Sequence, residues 1–239
     1  TVSDLDELLT RSKSKLMERR SARIAPNLDD KILTAWNGLM LAAFAEASAV
    51  LGRDDYLEVA IANGTFLLDN LVDENGRLLR TYKEGHAKLN GYLEDYAFLI
   101  DGLLLLHEAT LDQRWLLSAV ELGRSMVELF WDEGSKQFYD TGVDHEDLVI
   151  RPRDTTDNAI PSGSSMAAGM LLKLAVLTGD SAYNSRAATS LGSAHEVMQR
   201  FPSAAGHWLC ALDFYLARTR EIVVVGEHDE ATRDLTKEI

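Results

Sequence analysis

Two kinds of apolar pattern alternate along this chain. In one, apolar residues fall on every side of a 3.6-residue period, as a buried helix requires. In the other they form a single stripe, as in a helix that covers a core. Residues 30–50 are of the first kind, with Ile32, Leu33, Trp36, Leu39, Met40 and Phe44 spread around the helix, and residues 55–72 are of the second, striped by Leu57, Ala60, Gly64, Leu67 and Leu71. The pair recurs as 93–110 and 112–130, then as 162–178 and 181–199, and a fourth all-round segment runs over 207–218. Tyr56, Trp115 and Tyr183 hold equivalent places, 59 and 68 residues apart. The spacing predicts repetition of one αα-hairpin.

Buried helices cannot stand in an open row with one face bare. An inner ring wrapped by an outer ring of striped helices solves this, so the pattern predicts an all-α chain folded as an α/α toroid. The rival, an α-solenoid, has shorter repeats of about 34–47 residues. Residues 77–82 and 137–141 read as short extended β segments in the loops, each after an acidic turn ending in Gly or Ser. Ahead of the repeats, 5–20 reads as a helix capped by Asp4 with a basic face, followed by a break at Ala25-Pro26-Asn27. Residues 1–220 thus form the toroid fragment. The tail 221–239 reads as a strand over 221–226 plus a short helix, belonging to the same domain.

Composition narrows the function classes. The 239 residues are 46% hydrophobic with a net charge of −14, which disfavours nucleic acid and anionic membrane surfaces as partners. No segment reaches the roughly 18 uncharged apolar residues of a membrane span. Cys210 is the only cysteine, so no internal disulfide forms, and a cytoplasmic location fits. No metal-ligand spacing, P-loop or dinucleotide fingerprint occurs, so neither metal nor cofactor is expected. The chain opens on Thr1 without a start signal and reads as a piece of a longer protein.

Five strings occur in order: Asp29-Asp30-Lys31 with Trp36-Asn37-Gly38-Leu39-Met40; Gly91-Tyr92-Leu93-Glu94-Asp95-Tyr96-Ala97; Arg151-Pro152-Arg153-Asp154; Pro161-Ser162-Gly163-Ser164-Ser165; and Ala211-Leu212-Asp213-Phe214-Tyr215-Leu216. Together, across residues 10–226, they resemble the C-terminal region of the spermatogenesis-associated, thioredoxin-domain-containing protein family. The resemblance implies a six-hairpin, glycosidase-like toroid akin to the N-acylglucosamine 2-epimerases. This chain lacks the family's thioredoxin domain and paired cysteines, so redox chemistry does not carry over. It holds about four hairpin units where the toroid has six. The ring is therefore expected to be incomplete, with an apolar flank through which two copies would pair as a homodimer.

In an inner ring the helix N-termini share one face and frame a mouth. Acids and aromatics gathered there suit a carbohydrate ligand, with rings stacking on sugar faces and carboxylates bonding hydroxyls. Asp95, Glu94 and Asp30 are the candidate catalytic carboxylates, for a sugar hydrolase or isomerase; an opposed pair about 6.5–9.5 Å apart would invert a glycosidic bond. Trp36, Asn37, Tyr96, Tyr92, Asn158, Ser162 and His207 are the candidate substrate-binding residues. Each acid is equally a natural helix cap. That leaves open a non-catalytic binding or scaffold module of a larger thioredoxin-domain protein.

Overall fold

The computed structural model describes residues 2–146 and 149–218; the strand and helix expected over 221–239 lie outside them. The chain divides into two units, residues 1–31 and 32–239. The first holds helix α1 (Val2–Ser21), none of whose residues is buried. The second is the toroid.

Its elements follow the two patterns. The inner helices are α2 (Thr34–Leu51), α4 (Leu93–Thr110), α6 (Gly163–Thr178) and α9 (Gly206–Leu216). They stand side by side in that order, while α3 (Asp54–Leu71), α5 (Gln113–Phe130) and α7 (Ser181–Ser193) pack behind them, and α8 (His195–Arg200) leads back to α9. Helix α4 buries eleven residues and α5 six, the ranking that all-round and single-stripe patterns predict. Ser181–Ser193 ends sooner than the 181–199 pattern suggests, because the chain turns at Ala194 before α8.

Two differences from the sequence reading concern the site. First, α2 begins at Thr34 rather than at Asp30. Ile32–Leu33 instead forms strand β1, paired antiparallel with Tyr82 and Thr81 of β2 (Leu79–Lys83). Asp29 and Asp30 are exposed and belong to the first unit, and the cap position of α2 is Leu33. Second, β2 also pairs with β3 (His86–Asn90), making a three-stranded sheet where one extended run was read. The other run pairs β4 (Trp131–Asp132) with β5 (Gln137–Phe138).

Helices α2 and α4 meet backbone to backbone. A Cβ on Gly38 would lie 2.7 Å from the carbonyl carbon of Phe98, and one on Gly102 would lie 2.9 Å from the oxygen of Gly38. The opposite side of α2 carries an exposed apolar stripe, Trp36, Met40 and Val50, and at the other end of the row α9 exposes Leu209, Phe214 and Tyr215. Since neither backbone can yield at the crossing, Gly38→Ala is expected to lower stability by about 1–3 kcal/mol despite the better helix propensity of alanine. Urea unfolding followed by circular dichroism checks this.

Candidate functional site

The N-termini of the inner helices come together, and two buried carboxylates hold them there. Asp95 lies at the third position of α4, after an extended Tyr92, where a carboxylate can fold back on the helix start. Its Oδ2 accepts from the Tyr92 N–H at 2.9 Å, and its Oδ1 accepts from the Ala35 N–H of α2, also at 2.9 Å. One acid therefore caps two helices. Arg80, reaching in from β2, donates through Nη1 to Asp95 Oδ2 and Glu94 Oε1, both at 2.9 Å. Asp95 is 0% exposed. Burial raises its pKa to about 6, against the pull of Arg80 and of the Tyr92 and Ala35 N–H groups.

Asp157 repeats the device. Its Oδ1 accepts from the Ser162 N–H (2.9 Å) and the Ser165 hydroxyl (2.7 Å) at the start of α6, and its Oδ2 accepts from the His207 N–H (2.8 Å) at the start of α9. Ser162 caps α6 as its sequence position suggests, accepting from the Ser165 N–H. A Cβ on Gly163 would lie 3.1 Å from the Glu94 nitrogen, so the two stapled pairs abut.

The remaining candidates divide. Glu94 keeps a side chain 32% exposed beside Arg80. Tyr92 lies between the Arg80 guanidinium, 4.6 Å from its ring centre, and the stacked ring of His145 at 5.0 Å. Trp36 stands exposed in the first turn of α2, and Asn158 is exposed in the loop before α6. Asn37 turns its amide onto the Leu33 carbonyl, and the buried Tyr96 hydroxyl accepts from Arg77 and the Leu78 N–H. Both serve the scaffold. The His207 ring lies over Gly169, and burial holds its pKa below the ordinary imidazole range while Asp101 and Asp157 oppose that shift. Asp30 belongs to the first unit.

Several residues escaped the sequence reading. Arg77 grips Asp144 through two nitrogens, at 2.7 and 3.2 Å, and so fixes the segment carrying His145. His145 Nδ1 accepts from the Gly142 N–H. Asp140 gives its carbonyl to the Leu93 N–H, which places it at the start of α4. Burial raises its pKa, and the carboxylates of Asp154 and Glu94 add to that rise against the Asp154 N–H. A signal for Arg80 and Asp140 existed. Each stands two residues beyond a buried residue, Leu78 and Phe138, in an extended run, and therefore on the inward side.

Asp157→Ala would strip partners from the starts of two helices at once, and is expected to cost about 2 kcal/mol or more in a denaturant titration. For Asp95 the folded pKa of about 6 exceeds the unpaired 3.8, so the folded chain binds the proton more tightly. Its contribution is full below 3.8 and is lost as pH rises through 6, amounting to about 3 kcal/mol. Unfolding titrations at pH 7 and pH 4 should show Asp95→Asn lacking this part of the slope.

No protein-family model matches the chain. Spermatogenesis-associated protein 20 of Homo sapiens is 35% identical over 230 residues, 92% of this chain and 29% of the relative. An uncharacterised protein of Caenorhabditis elegans is 28% identical over 235 residues, 95% of this chain and 32% of the relative. The chain therefore spans about a third or less of the length of these relatives. Among solved structures, cellobiose 2-epimerase of Bacillus thermoamylovorans superposes with a TM-score of 0.64 at 15% identity, over 87% of this chain and 59% of that one. An α-mannanase of Bacteroides thetaiotaomicron gives 0.57 at 19%, over 90% and 57%. The chain is a homologue of spermatogenesis-associated protein 20, matching a segment of it, and is built as an incomplete α/α toroid of the six-hairpin glycosidase-like kind.

Proposed function

We propose that the mouth of the toroid binds a carbohydrate and acts on it through Glu94 and Asp140, as a hydrolase or an isomerase. The observation that carries this reading is the unequal pair of carboxyls at the start of α4. Glu94 is ion-paired with Arg80 and part exposed, whereas Asp140 is half-buried with a raised pKa. A half-buried carboxyl and an ion-paired, part-exposed one suit opposite roles, the first giving a proton and the second taking it. In hydrolysis Asp140 would protonate the leaving oxygen while Glu94 takes a proton from water. In isomerisation Glu94 would remove the proton beside the carbonyl and Asp140 would protonate the carbonyl oxygen. Trp36 offers an exposed face for a sugar ring, while Tyr92, covered by Arg80 on one face and by His145 on the other, offers its hydroxyl. Asp95 then acts as a positioning residue, holding Arg80 and both helix starts. That the structural neighbours include sugar epimerases and glycoside hydrolases supports the ligand class.

The rival, a non-catalytic binding or scaffold module of a larger protein, is favoured by one fact. The most buried acids, Asp95 and Asp157, are fully engaged at helix N-termini. A thermal-shift screen of gluco- and manno-configured sugars, followed by turnover assays on the hits, separates the two readings. The enzyme reading expects stabilisation by a sugar, with turnover reduced at least about 100-fold in Asp140→Asn and in Glu94→Gln while both stay folded. Stabilisation without turnover in the parent chain selects the binding module. If no sugar raises the melting temperature, the carbohydrate reading is wrong.

A further inference from the structure

Two inner helices each carry one charged residue in an otherwise apolar middle, and those two residues meet. Lys173 is the sole charged residue of α6, following ten consecutive buried positions, and Asp101 is the sole charged residue between Asp95 and Glu108 in α4. Lys173 Nζ donates to Asp101 Oδ1 at 2.9 Å, with side chains 29% and 17% exposed. The His207 ring of α9 joins them. Its Nε2 lies 3.2 Å from where a Cβ on Gly169 would be, one helical turn before Lys173, and both charges act on it. Three successive inner helices thus contribute one polar group each to one spot.

Stability does not explain this pair. A half-buried ion pair gains little over apolar residues of the same shape, because desolvation offsets the attraction. Placement says more. Asp101 is seven residues beyond Glu94, on the same face of α4, and Leu105 and Glu108 continue that face. This is the face that the neighbouring helices leave least covered. Seven residues of helix span about 10 Å. The concave side of the row therefore presents two ionic groups in line, Glu94 with Arg80 at the mouth and Asp101 with Lys173 and His207 about two turns deeper.

Resting on the mouth reading above, the geometry points to a second subsite at Asp101, Lys173 and His207, which takes the hydroxyls of a further sugar unit. The ligand class is then a disaccharide or longer chain lying along α4, with its first unit at Glu94. Lys173 and neutral His207 donate to hydroxyl oxygens, and Asp101 accepts from a hydroxyl with the lone pairs that Lys173 leaves free.

Calorimetry with glucose, mannose, cellobiose and β-1,4-mannobiose tests this on the parent chain and on the double variant Asp101→Asn/Lys173→Met, which removes both charges with little change of shape. The parent should bind a disaccharide more tightly than its monosaccharide, and the double variant should reduce that ratio about tenfold. Should the double variant unfold, Gly169→Ala reads the same ratio, because it displaces the His207 ring by a few tenths of an ångström in a helix that accepts alanine. Equal affinity of the parent for both lengths overturns the subsite and leaves the mouth reading intact. So does an unchanged ratio accompanied by a lower melting temperature, since the pair is then a register peg between α4 and α6. Absence of binding by any sugar overturns both.

Discussion

Helices packed side by side in the same direction bring their unpaired N–H groups and positive dipole ends together, and this is the constraint on which the toroid depends. At two of the three junctions in the row, one buried carboxylate shared between the neighbours answers it. Asp95 serves α2 and α4, and Asp157 serves α6 and α9. Each supplies a counter-charge and a cap at once, and each fixes the level of one helix relative to the next. The site inherits its geometry from them. Arg80 is held by Asp95 and in turn holds Glu94, so the acid nearest solvent is aimed by the acid furthest from it.

This arrangement divides the carboxylates by task. Those taken fully out of water maintain the scaffold. Those left at its margin, Glu94 and Asp140, are only partly withdrawn from solvent. The loops repeat the division, since Arg77 and Asp144 spend their charges on each other to keep His145 against Tyr92. Arginines are prominent at the mouth of a chain with net charge −14, and their carboxylate partners leave that region mixed in sign rather than basic.

The buried helices were legible because their signal is local. Leucines on all sides of 93–110 admit only a covered helix, and α4 occupies those residues. The start of α2 was not legible. Asp29 and Asp30 carry the local signature of a cap, yet the Ala35 N–H at the start of α2 goes to Asp95, sixty residues beyond Ala35, and Ile32–Leu33 pairs with β2 instead. Strand β3 escaped because its alternation, His86-Ala87-Lys88-Leu89-Asn90, spans only five residues with one large apolar side chain, Leu89, which is itself exposed. At the first turn of α4 the sequence shows Glu94 and Asp95 as adjacent acids but not how their surroundings differ. Their difference arises from Ala35 and Arg80, which no pattern within α4 contains. His207 was visible as a lone histidine, while its meeting with Asp101 and Lys173 depends on the spacing of three helices.

The glycine crossing of α2 and α4 has a mechanical consequence. Backbone in contact with backbone leaves no side chain to bend, so these two helices move as one stiff plate. Helices α4 and α6 are joined differently. They approach closely at the mouth, where Gly163 meets Glu94, and farther along they are linked by the four-carbon stem of Lys173. A close pivot at one end and an extensible tether beyond it make a hinge. In such a joint a load on the inner row would part the far ends of α4 and α6 before it altered the spacing of the acids at the pivot.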